Sequence, residues 1–204
     1  MNNTRGLLVV VSGPSGVGKG TIMRPFMERN QNVKYSVSAT TRAPREGEID
    51  GVNYHFVTKE QFENLIENDE MLESARYSGN YYGTPRFAVE KNLAAGLDVV
   101  LEIEVKGAQQ VRRRCPEAIS VFIMPPSFQE LSNRLHGRNT ESEEKIMERL
   151  DIARSEMQLA YDYDFILVND DVDEAVRQLE VILEAAKAMP KYMKDFIDEV
   201  NNNA

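Results

Sequence analysis

The hydrophobic pattern of the chain contains four short runs rich in apolar and β-branched residues. These runs are Leu7 to Val11, Asp98 to Ile103, Ile119 to Met124, and Phe165 to Val168. Continuous runs of this length are typical of parallel strands that are covered on both faces. Between them lie segments with helical spacing, at Val111 onward, Ser127 to His136, and Ser142 to Ala160. This alternation predicts βαβ units around a parallel sheet.

The segment from Ser142 to Ala160 has the most regular helical pattern. Ser142 is its predicted N-cap, and the acids beside it suit the positive end of a helix dipole. Its apolar positions follow at steps of four, three and four, which places them on one helix face. These positions are Ile146, Leu150, Ala153 and Met157.

The region from about Val33 to Gly83 breaks the strand and helix rhythm. It contains Pro44, four glycines and five of the eight tyrosines, with short alternating stretches such as VNYHFV. We interpret it as a small mixed insertion, largely β, beside the main sheet. The polar stretch 138–144 predicts a mobile flap. Near the end, 173–188 predicts a closing helix and 189–204 a loosely held tail.

Composition narrows the class of protein. The 204 residues suit one domain, or one domain with insertions. The net charge of −9 argues against a general nucleic-acid binder, because affinity for a polyanion depends on cationic contacts. The apolar run near the start is too short for a signal or a spanning helix, so no membrane association is expected. The single Cys115 excludes an internal disulfide and fits a reducing, cytoplasmic location.

The stretch VVVSGPSGVGKGT, Val9 to Thr21, carries the first candidate chemistry. Gly13, Gly18 and Lys19 satisfy the G-x-x-x-x-G-K pattern directly after a predicted strand and before a predicted helix. Glycines let several backbone N–H groups point at one anion, and the helix adds its positive end. The alternative is a glycine-rich turn that binds nothing, but both flanks favour phosphate. The candidate phosphate-binding residues are Gly13, Pro14, Ser15, Gly16, Val17, Gly18, Lys19, Gly20 and Thr21.

The residue after the lysine departs from the usual pattern. Gly20 has no hydroxyl, and Thr21 lies about 100° further round the helix. The usual hydroxyl ligand of Mg²⁺ is therefore absent from its usual place. We expect Mg²⁺ to be held by phosphates and water, with no protein side chain as a metal ligand, and Thr21 to contact a phosphate.

A pair of arginines forms the second candidate constellation. Arg42 and Arg45 lie either side of Pro44, which disfavours helix at Ala43, so an extended segment or loop is predicted. Guanidinium groups suit phosphate because each offers a planar fork of donors. A solvated charged loop explains the arginines equally well, so the residues alone leave both interpretations open.

Several motifs together resemble the guanylate kinase family of the bacterial type, from about Gly6 to Glu184. They occur in the family's order and are SATTRAPREGE, DGVNYHF, RYSGNYYGT, LEIEVKGA and RNTESEE. The resemblance implies an α/β fold of the P-loop NTPase type and ATP-dependent phosphorylation of GMP to GDP. It also implies a core (1–34, 84–137 and 145–190), a GMP-binding insertion (35–83), a lid (138–144) and a tail (190–204).

The resemblance also implies which residues bind GMP. Arg42, Arg45, Tyr54 and Tyr82 match the positions that hold its phosphate, a role that suits cations and phenol donors. A carboxylate accepts both donors of the guanine edge, N1–H and the exocyclic amine, which adenine does not present. Without the resemblance, Glu73 looks more like a surface acid at a helix end. The implied GMP-binding set is Ser38, Arg42, Arg45, Glu48, Tyr54, Glu73, Tyr82, Thr84 and Glu104.

Two positions depart from the family's common form. Glu104 stands where an Asp is common, and Lys106 stands where a Gln is common. Glu104 keeps the charge with a longer reach. Lys106 is either near phosphate or on the surface, and we favour the surface.

On the ATP side, the resemblance implies that Arg134, Arg138 and Arg149 lie over the transferring phosphates, with Asn169 near the adenine. Phosphoryl transfer needs positioning and charge stabilisation more than a general base. The expected catalytic residues are Lys19, Arg42, Arg138 and Arg149. Asp171 also fits a helix N-cap.

The expected partners are ATP and GMP or dGMP, with Mg²⁺, in a monomer or weak homo-oligomer. Two alternatives remain. One is a guanylate-kinase-like domain that binds peptides without catalysis, although such domains usually lose the loop's lysine or glycines. The other phosphorylates a different small phosphate ester.

Overall fold

The main sheet has five parallel strands. In the computed structural model, which describes residues 5–77, 79–137 and 142–202, the sheet order is β2-β7-β1-β8-β9. All four apolar runs of the sequence are strands of this sheet, which confirms the predicted parallel α/β fold. The strands are β1 (Leu8–Ser12), β2 (Val33–Tyr35), β7 (Asp98–Glu102), β8 (Ile119–Met124) and β9 (Phe165–Val168).

A second, four-stranded sheet lies in the region that interrupts the rhythm. Its order is β4-β3-β6-β5, with β3 and β4 parallel and the other pairs antiparallel. This confirms a small mixed sheet in the predicted insertion, although β2 belongs to the main sheet and β6 continues to Pro85. The residue bounds of core, insertion and lid stay a prediction. The strands are β3 (Ala39–Thr40), β4 (His55–Phe56), β5 (Met71–Tyr77) and β6 (Asn80–Pro85).

The described helices cover both faces of the main sheet and one side of the second sheet. They are α1 (Lys19–Arg29), α2 (Lys59–Glu67), α3 (Arg86–Ala94), α4 (Val105–Arg114), α5 (Phe128–His136), α6 (Glu143–Gln158), α7 (Val172–Lys187) and α8 (Lys194–Asn202), with a short 3-10 turn at Leu159–Asp162. None of them is long and apolar enough to cross a membrane.

Two helix predictions need correction. The helix predicted from Val111 onward begins earlier, at Val105, and Val111 lies in its second half. Ser142 does precede α6, but its side chain makes no capping hydrogen bond. The predicted apolar face of α6 is present, because Ile146, Leu150 and Ala153 are buried. The cap predicted at Asp171 is confirmed, since its side chain accepts a hydrogen bond from the Glu174 N–H.

Burial on both faces explains why the strand β1 is apolar at every position. Val9 and Val11 belong to the larger core cluster, which contains residues of α1, α5, α6 and α7. Leu8 and Val10 point the other way, into a cluster with residues of α3 and α4. Because successive side chains in a strand alternate between faces, a doubly covered strand must be apolar throughout.

The tail is more ordered than the sequence suggests. Tyr192 packs against the larger core cluster, and its hydroxyl donates to the Glu117 carbonyl. Lys191 Nζ donates to the same carbonyl at 3.1 Å. The following helix, α8, has no buried residue. The prediction of a loosely held tail is therefore wrong near Tyr192, where the chain is anchored.

We expect Asp98→Ala to lower the free energy of unfolding by about 2 to 4 kcal/mol. The buried Asp98 carboxylate accepts the Leu7 N–H at 2.9 Å and lies 2.6 Å from Lys187 Nζ, so it joins β7 to β1 and α7. Urea unfolding measures the change. The matched control is Asp195→Ala, an exposed site on α8 that is expected to stay within about 0.5 kcal/mol of the unmodified protein. Equal effects of the two substitutions would contradict this role of Asp98.

Candidate active site

The phosphate loop follows the carboxyl end of β1 and leads into α1, as predicted. Its lysine is held in place, because Lys19 Nζ donates to the Gly13 carbonyl at 2.8 Å. Gly18 has φ of +94°, and a Cβ there would lie 2.5 Å from Asn169 Nδ2. This position therefore requires glycine for both backbone conformation and space. No side chain of the described residues caps the first turn of α1, which leaves that helix end to an anion.

Side chains from the far end of the chain surround this loop. Arg134 donates to the carbonyls of Val17 at 3.3 Å and Asn169 at 3.0 Å. Asn169 Nδ2 donates to the same Val17 carbonyl at 2.7 Å. Arg149 donates to the Ser15 hydroxyl at 2.7 Å. The structure thus brings three of the predicted ATP-side residues to the loop, whereas Arg138 lies outside the described residues.

Glu156 is a loop neighbour that the sequence analysis missed. Burial raises the pKa of its carboxyl, as does the nearby Glu104, while Lys19 and the Ser15 backbone lower it. It lies on α6 two helical turns after Arg149, so both face the same way. This spacing of two helical turns from Arg149 was the signal in the sequence that could have identified Glu156. Lys106 is exposed, as expected. It also lowers the pKa of Glu156, so it lies on the same side of the molecule as the phosphate loop.

The space beside Gly20 is bordered by the side chain of Glu102. A Cβ at this position would lie 3.7 Å from Oε1 of Glu102, at the end of β7. Tyr35 donates its hydroxyl to Oε2 of the same carboxylate at 3.2 Å. Glu102, also missed from the sequence, therefore places an anionic group beside Gly20, at ordinary van der Waals distance from a Cβ at that position. Among residues 5–77, 79–137 and 142–202, no three acidic, histidine or cysteine side chains form a metal-binding group.

The predicted arginine pair lies in the loops of the second sheet. Arg42 is the arginine whose contacts connect the residues around it. Its guanidinium donates to both carboxylate oxygens of Glu48, at 2.9 and 2.8 Å. It lies 5.4 Å from the ring centroid of Tyr54, and the Tyr54 ring meets Tyr82 edge to face at 6.2 Å. These contacts join four predicted GMP-binding residues. Arg42 is thus ion-paired within the loop, and its binding of phosphate stays a prediction.

Glu48 is the carboxylate that organises this loop. Besides Arg42, it accepts the Arg45 backbone N–H at 2.6 Å. These hydrogen bonds lower the pKa of Glu48 to about 2. The Arg45 side chain is exposed, and no hydrogen bond or ion pair of its guanidinium is found within the described part of the chain. Arg45 is therefore the more available of the two cations.

Glu73 lies in β5, and only 7% of the residue is exposed. The surface-acid interpretation is therefore wrong. Thr84, a predicted site residue on β6, donates its hydroxyl to Glu73 Oε1 at 2.8 Å. Burial raises the pKa of Glu73, and the Thr84 hydrogen bond partly opposes that shift. A Cβ at Gly107, in the first turn of α4, would lie only 2.9 Å from Glu73 Oε2. The carboxylate thus occupies space that only glycine leaves open.

The two remaining predicted residues differ in their placement. Ser38 lies beside β3, and its carbonyl accepts the His55 N–H at 2.8 Å. Glu104 immediately precedes α4 and lies 3.8 Å from Lys19 Nζ, with 70% of its side chain exposed. The structure therefore places Glu104 beside the phosphate-loop lysine, while Glu73 lies against Gly107 on the same helix.

Comparison with known proteins gives a consistent result. The family model described as guanylate kinase matches residues 5–186. The chain is 51% identical to a guanylate kinase of Desulfitobacterium hafniense (strain Y51) over 191 residues, which cover 94% of this chain and 96% of the relative. It is 48% identical to one of Clostridioides difficile (strain 630), covering 96% and 95% of the two chains.

A solved structure also matches over most of its length. The crystal structure of guanylate kinase from Anaplasma phagocytophilum shares 36% of its sequence with this chain at a TM-score of 0.69. The match covers 93% of this chain and 90% of the other.

We expect the Glu48 carboxyl to titrate with a pKa of about 2 in the folded protein. In Arg42→Met its pKa is expected to rise towards the usual range of about 4.3, because the bidentate guanidinium is lost. Carbon-detected NMR of side-chain carboxyl groups follows the titration. Because the pKa of Glu48 is lowered in the folded protein, its ionised carboxylate stabilises the fold above the unfolded pKa. This stabilisation is lost as pH falls towards 2. An ordinary pKa of Glu48 in the unmodified protein would contradict the observed pairing.

Proposed function

The chain belongs to the guanylate kinase family, and from that premise we propose that it transfers the γ-phosphoryl group of ATP to GMP or dGMP, giving ADP and GDP or dGDP. In this role it recycles guanine nucleotides and supplies the precursor of GTP. Family membership shows a kinase. The substrate assignments and the residue roles below are the proposal.

The observation that carries the proposal is the buried carboxylate of Glu73. A guanine base offers N1–H and an exocyclic amine side by side, and one carboxylate accepts both. Adenine offers no such pair on that edge. A buried charge without hydrogen-bond partners is costly, so a base that cannot satisfy Glu73 binds weakly. Thr84 supports this role because its hydroxyl already holds one carboxylate oxygen.

The phosphate of GMP is assigned to Arg42, Arg45, Tyr54 and Tyr82. Two cations and two phenols form a set of donors suited to a dianion. Glu48 is itself anionic and repels phosphate, so we assign it to holding the Arg42 guanidinium rather than to contacting GMP. Because two Arg42 nitrogens already bond to Glu48, the plane of the guanidinium is fixed before phosphate arrives.

ATP is assigned to the phosphate loop, Gly13 to Thr21, with Lys19 at the β and γ phosphates. Arg134 and Asn169 hold the loop by its carbonyls, and Arg149 reaches Ser15 from α6. Charge on the transferring group spreads over three oxygens, so fixed cations stabilise it without a general base. Lys19 and Arg149 supply such cations. Arg138, outside the described residues, keeps the same predicted role.

Magnesium is the proposed cofactor, bound through ATP phosphates and water. The residues fit this arrangement, because Gly20 supplies no hydroxyl at the position where the usual loop offers one to the ion. We assign Glu102, beside Gly20, to accept hydrogen bonds from water on such an ion. When bound, Mg²⁺ supplies positive charge against the phosphate oxygens. Thr21 keeps its predicted contact with a phosphate.

The peptide-binding alternative is less well supported. The loop retains Gly13, Gly18 and Lys19, and the lysine is already positioned by the Gly13 carbonyl. A domain that had lost catalysis has no need for this arrangement. A cytoplasmic location and a monomeric or weakly oligomeric state stay predictions from the sequence.

We expect ADP release from ATP to depend on GMP or dGMP, and to be weak with AMP, CMP or UMP. A coupled ADP-release assay against this panel measures it. Lys19→Ala is expected to lower kcat/KM at least 100-fold, because the phosphates lose a fixed charge. Lys34→Ala, at an exposed lysine of β2, is the matched control and should retain activity. Equal turnover of AMP and GMP would overturn the guanine assignment.

We also expect the KM for GMP to depend on pH through Glu73. The base needs the ionised carboxylate, whose pKa is raised by burial, so KM is expected to rise as pH falls through that raised pKa. Glu73→Gln removes this dependence and raises KM about 100-fold at neutral pH. The GMP phosphate titrates equally in both proteins, so the difference between them isolates Glu73. Unchanged GMP kinetics in Glu73→Gln would exclude it as the residue that reads the base.

A further inference from the structure

One face of α4 is built against the edge strand of the second sheet. Gly107, Gln110 and Arg114 follow at steps of three and four, which places them on one side of the helix. Gly107 lies against the Glu73 side chain, and Arg114 donates to the Met71 carbonyl. Strand β5 is at the end of the sheet order, so this helix face covers its outer edge.

Gln110 pairs with β5 as another strand would. Its side-chain oxygen accepts the Ser74 N–H at 3.2 Å, and its side-chain nitrogen donates to the Ser74 carbonyl at 3.0 Å. A single amide thus satisfies both outward backbone groups of one residue. That residue is the immediate neighbour of Glu73.

The strand pairing within the second sheet is irregular at the same place. Between Met71 and Glu73 the register of β5 against β6 shifts, as in a β-bulge. A bulge leaves a residue without its regular partner and changes the direction of nearby side chains. The contacts from α4 fall on both sides of it, Arg114 at Met71 and Gln110 at Ser74. The helix α4 therefore fixes the part of β5 whose backbone is held less strictly by its irregular pairing with β6.

We infer that Gln110 is a positioning residue for guanine recognition, because it fixes the backbone beside Glu73 and so aims the Glu73 carboxylate. This inference rests on the proposed function. Gln110 does not contact the base; it acts through Glu73. Two hydrogen bonds to a planar base require the carboxylate to be placed within a fraction of an ångström, so a small shift of β5 weakens guanine binding. Binding of ATP at the phosphate loop does not depend on this alignment.

The first test is Gln110→Met, which keeps the length of the side chain and removes both hydrogen bonds. We expect the KM for GMP to rise about tenfold and the preference for GMP over AMP in kcat/KM to fall about tenfold, while the KM for ATP changes less than twofold. Gln109→Met is the matched control, since no hydrogen bond of the Gln109 side chain is found among the described residues. Its kinetics should match the unmodified protein.

A second variant and a double-mutant cycle separate positioning from general stability. Gln110→Glu still accepts the Ser74 N–H, but its second carboxylate oxygen faces the Ser74 carbonyl, acceptor against acceptor, so its selectivity should fall at least as far as that of Gln110→Met. In the Glu73→Gln background, Gln110→Met should no longer alter the preference for GMP over AMP, because the group that it positions is gone. If Gln110→Met does not fold, Gln110→Glu alone carries the cycle.

The outcomes are distinguishable. Unchanged selectivity in the Gln110 variants, an equal loss of ATP and GMP binding, or full additivity with Glu73→Gln would overturn the inference while leaving the proposed function intact. Failure of the unmodified protein to prefer GMP over AMP would instead overturn the proposed function.

Discussion

The parallel pairing of β1 with β7 and β8 is the constraint on which the rest of the site depends. Parallel strands carry their carboxyl ends to the same edge of a sheet, and here each end delivers a different group. The phosphate loop follows β1. Glu102 is the last residue of β7, Glu104 comes shortly after it, and Asn169 follows β9. The Asn169 N–H bonds to the carbonyl of Met124 at the end of β8. Residues more than a hundred positions apart meet at the loop because the strands share a direction.

An acidic chain with a proposed site for two anionic nucleotides must also control its cations. The net charge is −9, and several site cations have an acidic partner: Arg42 with Glu48, Arg134 with Glu130, and Lys19 near Glu104. Such partners reduce the local positive potential but hold long side chains in one orientation. Phosphoryl transfer requires cations in fixed orientations. The acidic partners weaken the general attraction of the chain for polyanions, but they place a few cations precisely.

The sequence predicts what depends on local pattern, and it fails where tertiary contacts decide. The strands and the phosphate loop follow from apolar runs and glycine spacing. The start of α4 was missed because small residues, Gly107 and Ala108, occupy its buried face and hide the helical period. Glu73 looks like a surface acid in the sequence, since burial of a carboxylate depends on Thr84 and on α4. The roles of Glu102, Glu156 and Gln110 depend on contacts between elements distant in sequence.

The first turns of α4 join the two halves of the site. Glu104, just before the helix, lies beside the phosphate-loop lysine, and Gly107, one turn later, lies against Glu73. Arg42 and Arg45, in contrast, lie in loops of the second sheet. The hydrogen bonds of Glu48 hold the conformation of this part of the chain. The carboxylate assigned to the base is thus tied to a helix of the main core, while the arginines assigned to the phosphate are not. A displacement of those loops would alter the proposed phosphate contacts before the proposed base contacts, because α4 packs on β1 and holds β5 with it.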